Sequence, residues 1–162
     1  VRAERLTAGV TRNSTLPAIA VPAFLLLLAV AGLGISSYLT YTHWADVTIA
    51  CSGFESCETV NNSEYAEMVG IPVAFLGALF YLTLIAAALA WLWLRPQGLA
   101  WPAVAFWGLA LVGTLYSVYL TYLELFVIDA ICIYCVASAA IVLACFLIST
   151  AWNVRQYQDE EA

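Results

Sequence analysis

Residues 71–94 read IPVAFLGALFYLTLIAAALAWLWL, an unbroken apolar run without one charged side chain. At 1.5 Å per residue the run extends about 36 Å as a helix, more than the ~30 Å hydrocarbon core of a bilayer. A helix on the surface of a soluble domain keeps a polar face for water, and this run has none. It therefore predicts a membrane-spanning helix. Gly70 and Pro72 open it and Arg95-Pro96-Gln97-Gly98 closes it, Pro and Gly being the residues least able to continue a helix.

Outward from this run, three further apolar stretches predict spans. The four cover about residues 16–41, 71–94, 99–122 and 126–151, with an outer loop at 42–70. Pro102 falls in the first turn of the third helix, and Asp129 is a candidate N-cap for the fourth. Of 162 residues, 64% are hydrophobic and 10% charged, against about half and a quarter in soluble domains. A large soluble catalytic domain is excluded, leaving an all-α integral membrane protein, one domain over 1–162, built as a four-helix bundle. A net charge of −6 argues against nucleic acid and leaves lipid as the surrounding partner.

The basic residues fall on one side of this plan: Arg2, Arg5 and Arg12 before the first span, Arg95 between the second and third, Arg155 after the fourth. The positive-inside rule puts both termini in the cytoplasm and the 42–70 loop outside. Tyr38, Tyr41, Trp44, Tyr119 and Tyr122 predict an outer aromatic belt, and Trp91, Trp93, Trp101 and Trp152 an inner one. The first 31 residues also resemble a secretory signal peptide ending at Ala29-Val30-Ala31. Against this, the apolar run continues past Ala31, and its end, Ser36-Ser37-Tyr38-Leu39-Thr40-Tyr41, recurs as Ser117-Val118-Tyr119-Leu120-Thr121-Tyr122. The recurrence suggests equivalent places for the first and third helices.

Four of five cysteines fall at the outer side: Cys51 and Cys57 in the long loop, Cys132 and Cys135 near the start of the fourth helix. Cys145 lies roughly 15 Å deeper on another face of that helix, and reads as a small buried apolar residue. Cys132-Ile133-Tyr134-Cys135 is a C-x-x-C at a helix N-terminus, where the helix dipole favours the thiolate, while Asp129 opposes it. Two dithiols on one side, one in a loop and one at a helix end, can pass electrons by thiol–disulfide exchange. Static bridges in both places, or a zinc site made by the four outer cysteines, remain alternatives.

Below Cys135 the same helical face carries Ala139 and Val142, with Phe146 a turn further. Small residues there leave room for a flat apolar ligand, or serve ordinary helix packing. Asn61 and Glu64 form a candidate capping box, with Tyr65, Met68 and Val69 at helical spacing. They predict a short amphipathic helix over 62–69, lying as a lid over the bundle mouth. His43, beside Trp44, reads as an ordinary interfacial side chain, and Asn61-Asn62-Ser63 as a chance glycosylation sequon.

Taken together these residues resemble the vitamin K epoxide reductase family, in its prokaryotic disulfide-forming branch. The resemblance rests on Tyr38-Leu39-Thr40-Tyr41, on Cys51 and Cys57, on Cys57-Glu58-Thr59-Val60-Asn61-Asn62-Ser63-Glu64-Tyr65-Ala66 leading into Gly70-Ile71-Pro72-Val73, on Tyr119-Leu120-Thr121-Tyr122, and on Cys132-Ile133-Tyr134-Cys135. It implies a four-helix bundle around a quinone of the ubiquinone or menaquinone class. Cys132 and Cys135 become the active pair, with Cys135 nearer the quinone. Cys51 and Cys57 become the shuttle pair that receives electrons from a thioredoxin-like periplasmic protein, expected here as a separate chain. Ser63 matches a serine near the family's quinone site. Val73 and Ala139 stand where vertebrate members carry a ring-contacting asparagine and tyrosine, which argues for quinone reduction rather than epoxide reduction. The expectation is a monomeric thiol oxidase of the prokaryotic plasma membrane, with active cysteines facing the periplasm or exterior and no metal. The rival is a membrane scaffold whose disulfides are structural.

Overall fold

In the computed structural model the described residues are 2–49, 56–68, 70–94, 97 and 100–161. The order is α1 (Arg2–Ala45), α2 (Ser56–Asn61), a 3-10 turn (Glu64–Ala66), β1 (Glu67–Met68), β2 (Ile71–Pro72), α3 (Val73–Leu94), α4 (Trp101–Leu123), a π-helical turn (Glu124–Ile128) and α5 (Ile133–Glu161). Four stretches are long and apolar enough to cross a membrane: Ile19–Ala45, Val73–Leu94, Trp101–Ile128 and Ile133–Gln158. The protein is a four-helix multi-pass membrane protein.

Helix ends follow local chemistry. Beyond α1, Asp46 adopts a left-handed φ of 51°, and the Val47 N–H donates to the Thr42 carbonyl at 3.2 Å, closing the last turn as C-caps do. Pro102 sits in the first turn of α4. The α4 to α5 connection departs from expectation. Rather than ending near 122, α4 runs on into the wider turn at Glu124–Ile128, and Asp129 takes φ 54° as the cap that ends it. Asp129 therefore does not cap α5, whose backbone starts with the Val136 N–H donating to the Cys132 carbonyl at 3.0 Å. An αL residue ends a helix because its N–H turns back, here onto the Glu124 carbonyl.

The spans form a ring in which α1 and α4 each pack against α3 and α5, so α1 faces α4 across the diagonal. The half of the ring farther from the 56–72 segment holds the main core. There Leu25, Ala29, Leu84, Ala88, Trp91, Phe106, Ala110 and Cys145 are buried together. Trp91, read from sequence as a belt residue, is 3% exposed and packs on Phe106 and Trp152 at ring distances of 6.0 and 6.1 Å. An indole between two aromatic rings buries more area than one at the lipid headgroups. Trp93, by contrast, is fully open to the surroundings at 84%.

The loop also differs from the sequence reading. The helix expected at 62–69 is absent, and the helix lies earlier, at Ser56–Asn61. Asn61 ends it instead of capping a new one, and Ser63 spends its hydroxyl on the Val60 carbonyl at 2.8 Å. Glu67–Met68 then pairs antiparallel with Ile71–Pro72, turning through Gly70 at φ 77°, a conformation that a Cβ disfavours. Pro72 is thus a hairpin residue, and Val73 is the first of α3. Val69, the Met68 side chain, Cys51 and the 95–96 and 98–99 positions lie outside the described residues.

Candidate functional site

The upper half of the ring encloses a cavity of about 330 Å³. Its walls come from all four spans and its roof from the loop, through Val60, Asn61, Ser63, Tyr65 and Ala66. The repeated segments meet here. Ser36 and Leu39 of α1 face Ser117 and Leu120 of α4 across the cavity. Each repeat also folds its threonine back identically: Thr40 donates to the Ser36 carbonyl at 2.7 Å and Thr121 to the Ser117 carbonyl at 2.9 Å. Repeat positions thus become opposite walls. Near the floor, Gly113 lets Phe80 lie against α4, since a Cβ there would fall on the Phe80 ring.

Of the predicted ligand-facing residues, Ser63, Val73, Ala139 and Val142 all line this cavity. Cys132 and Cys135 line it too. Phe146 does not: it packs into the core below. Cys145, on its other helical face, is completely buried in that core.

Cys132 and Cys135 are free thiols. Cys132 lies immediately before α5, 1% exposed, in one apolar cluster with Cys57 and Val60. Cys57 is in a disulfide; Cys51 lies outside the described residues. The loop thus sets a disulfide sulfur in the same dry cluster as a thiol of the helix-end pair. A four-cysteine metal site would need four thiolates, and Cys57 is not one. Among the described residues no group of three or more His, Cys, Asp or Glu is placed to hold a metal ion.

The Cys132 thiol is drawn down to about 7, chiefly because the Cys135 thiol donates a hydrogen bond to it; burial works in the opposite direction. A thiolate that receives such a bond keeps its charge more easily. Within the pair the thiolate is therefore favoured on Cys132.

Three features escape a reading of the sequence. Glu124 sits in the π turn, 5% exposed, on the cavity wall. Its Oε2 accepts from the Cys132 backbone N–H at 3.4 Å and its carboxyl is hydrogen-bonded to the Cys135 thiol. A carboxyl near the end of an apolar span was the signal available, since such groups are costly unless used. Tyr81, 2% exposed, reaches across the bundle from α3 to α5, where its hydroxyl donates to the Ser138 carbonyl at 2.9 Å and lies 2.8 Å from Ser138 Oγ. His43 is more than an interfacial ring: Nδ1 lies 2.9 Å from the Asn61 carbonyl oxygen and Nε2 3.1 Å from Glu67 Oε1. It ties the end of α1 to both ends of the cavity roof.

A thiol pair set between a disulfide-bearing loop and an apolar chamber is built for moving electrons, and the class these features define is a membrane redox protein. A model of the vitamin K epoxide reductase family matches residues 23–150. The chain belongs to this family, whose members are oxidoreductases.

Proposed function

We propose that the chain is a thiol oxidase of the prokaryotic disulfide-forming branch. A thioredoxin-like partner gives two electrons to the Cys51/Cys57 disulfide, these pass to Cys132/Cys135, and a membrane quinone of the ubiquinone or menaquinone class accepts them. The active cysteines face the periplasm or cell exterior. The observation that carries this reading is the position of Cys132, buried against Cys57 on one side and lining the cavity on the other.

The residues present fit a quinone ring. A cavity of about 330 Å³ falls within the ~300–1,000 Å³ common for small-molecule sites. Val73, Ala139 and Val142 offer flat apolar wall, and Tyr116 stands on the same lining. A bound quinone would supply the two-electron oxidising capacity that no side chain has. The chain's own part is thiol chemistry. A sulfur of the reduced loop pair attacks Cys132, the Cys132–Cys135 bond breaks, and Cys135 leaves as a thiol. The second loop sulfur then displaces Cys132, re-forming the loop disulfide and leaving Cys132 as thiolate.

Anaerobic incubation of the purified protein with a reduced thioredoxin-like protein and a short-chain quinone should produce quinol absorbance. Cys51→Ala or Cys57→Ala should abolish oxidation of the protein partner while sparing part of the quinone-linked oxidation of dithiothreitol. Cys135→Ala should abolish both. Full quinone turnover by Cys135→Ala would overturn the reading.

A further inference from the structure

Glu124 has no place in the exchange just described, yet it is a carboxyl almost wholly withdrawn from solvent, 5% exposed. Burying a carboxyl is costly unless its environment uses it. Its main-chain carbonyl already holds the turn, accepting from the Ala130 N–H at 3.1 Å. The side chain adds two contacts: Oε2 with the Cys132 N–H at 3.4 Å, and the carboxyl with the Cys135 thiol, whose one S–H is shared between Glu124 and Cys132. The backbone bond is long for N–H···O and would be served as well by a neutral amide. The thiol contact would not, because a carboxylate can take a proton from sulfur and return it and an amide cannot. Glu124 also lines the cavity beside Cys132 and Cys135, so one group touches the reacting sulfur and borders the chamber.

We propose that Glu124 is the proton carrier of the Cys132/Cys135 pair. This deepens the thiol-oxidase reading and rests on it for the identity of the oxidant. When the pair is oxidised, the Cys135 Sγ–H bond breaks and its proton moves to the Glu124 carboxylate. The Cys132–Cys135 S–S bond forms and two electrons leave to the quinone. The Glu124 proton goes to an oxygen of the reduced quinone. The second proton that quinol formation requires comes from the outer aqueous side, to which Cys132 had released its own. When the pair is reduced by the loop, Glu124 protonates Cys135 as it leaves. Atoms and charge balance over the cycle: two thiols and a quinone yield one disulfide and one quinol.

The same base is needed when no quinone is present, which gives a test separate from turnover. Fully reduced protein, freed of quinone and reductant, is treated with 2-hydroxyethyl disulfide, digested and analysed by mass spectrometry. Cys132 takes up the small thiol as a mixed disulfide, and Cys135 must lose its proton to expel it. The wild type should show the Cys132–Cys135 bond with little trapped adduct. Glu124→Gln keeps the oxygen that accepts the Cys132 N–H but cannot take a proton. It should resolve the adduct ~10²–10⁴-fold more slowly, the usual contribution of a positioned acid–base group. The defect should shrink as pH rises and hydroxide replaces the carboxylate, and Glu124→Asp should recover part of the rate. Resolution by Glu124→Gln at the wild-type rate throughout the pH range would overturn the proposal, as would a defect that is independent of pH and shared by Glu124→Asp, since both mark a role in holding the turn. Failure of the wild type to reduce a short-chain quinone would sink the oxidase reading while leaving this result standing.

Discussion

At the scale of single residues, the chemistry gathers on Cys132, whose thiol is lowered to about 7 with the Cys135 hydrogen bond as the largest cause. A lowered pKa means that the reactive thiolate persists above that pH and is lost below it. Iodoacetamide labelling of Cys132 in the reduced protein should therefore be half-maximal near pH 7 and fall about tenfold per unit beneath it. In Cys135→Ala the midpoint should rise toward the ordinary thiol range of about 8.5. An unchanged midpoint would show that the hydrogen bond is not what holds the thiolate. The C-x-x-C itself was legible in the sequence, because the spacing of two cysteines on one helical turn is a local matter. The direction of the Cys132 shift was not. The sequence suggested Asp129 as the opposing charge, one helical turn away, whereas the fold turns Asp129 into a left-handed cap and brings Glu124 to the pair.

Among elements, the roof of the cavity is built from short pieces. It consists of α2, the 3-10 turn and a two-residue-per-strand hairpin, too short to stand alone. His43 joins it to α1 at two points, the Asn61 carbonyl and Glu67. His43→Ala should cost about 1 kcal/mol, since a typical hydrogen bond contributes ~0.5–1.5 kcal/mol and the Glu67 side is exposed. Hydrogen exchange at the Asn62 and Ala66 amides should quicken about fivefold, the equivalent of that energy, while the middle of α3 stays protected. Equal exchange in mutant and wild type would remove His43 from the anchoring of the roof. The lid was visible in the sequence as a segment but not in its form. Capping-box and periodicity signals at 61–69 are each weak, and the helix lies at 56–61, where it packs on the turn at Glu124–Ile128.

For the whole molecule the cavity is the decisive feature, because no single helix contains it. Ala139→Trp should fill it, costing about 1–3 kcal/mol of overpacking. Electrons from the partner would then reduce the cysteines once and go no further, seen as a single burst of partner oxidation without quinol. Cys145→Ala, in the separate core, should lose about 1 kcal/mol in thermal unfolding from its small void and keep turnover. Normal turnover in Ala139→Trp together with loss in Cys145→Ala would place the ligand on the opposite face of α5. The orientation read from the arginines has its own check. After reduction, an impermeant maleimide should label Cys51 and Cys57 in intact cells, and labelling confined to inverted vesicles would reverse the topology.

What the sequence by itself determined is whatever depends on composition and near neighbours. Apolar runs long enough for a bilayer specify four helices, since an unsatisfied backbone in hydrocarbon is too costly for any other open arrangement. The motif order specifies the family, and the 36–41 and 117–122 repeat marks two helices as counterparts. Only the tertiary structure decided that these counterparts sit on a diagonal with Ser36 and Leu39 opposite Ser117 and Leu120. The same packing buried Trp91 rather than leaving it in a belt, and brought Cys57 against Cys132. It also set Glu124 beside Cys135. Each of these joins residues from different elements, and such contacts follow from how whole elements pack rather than from spacing along any one of them.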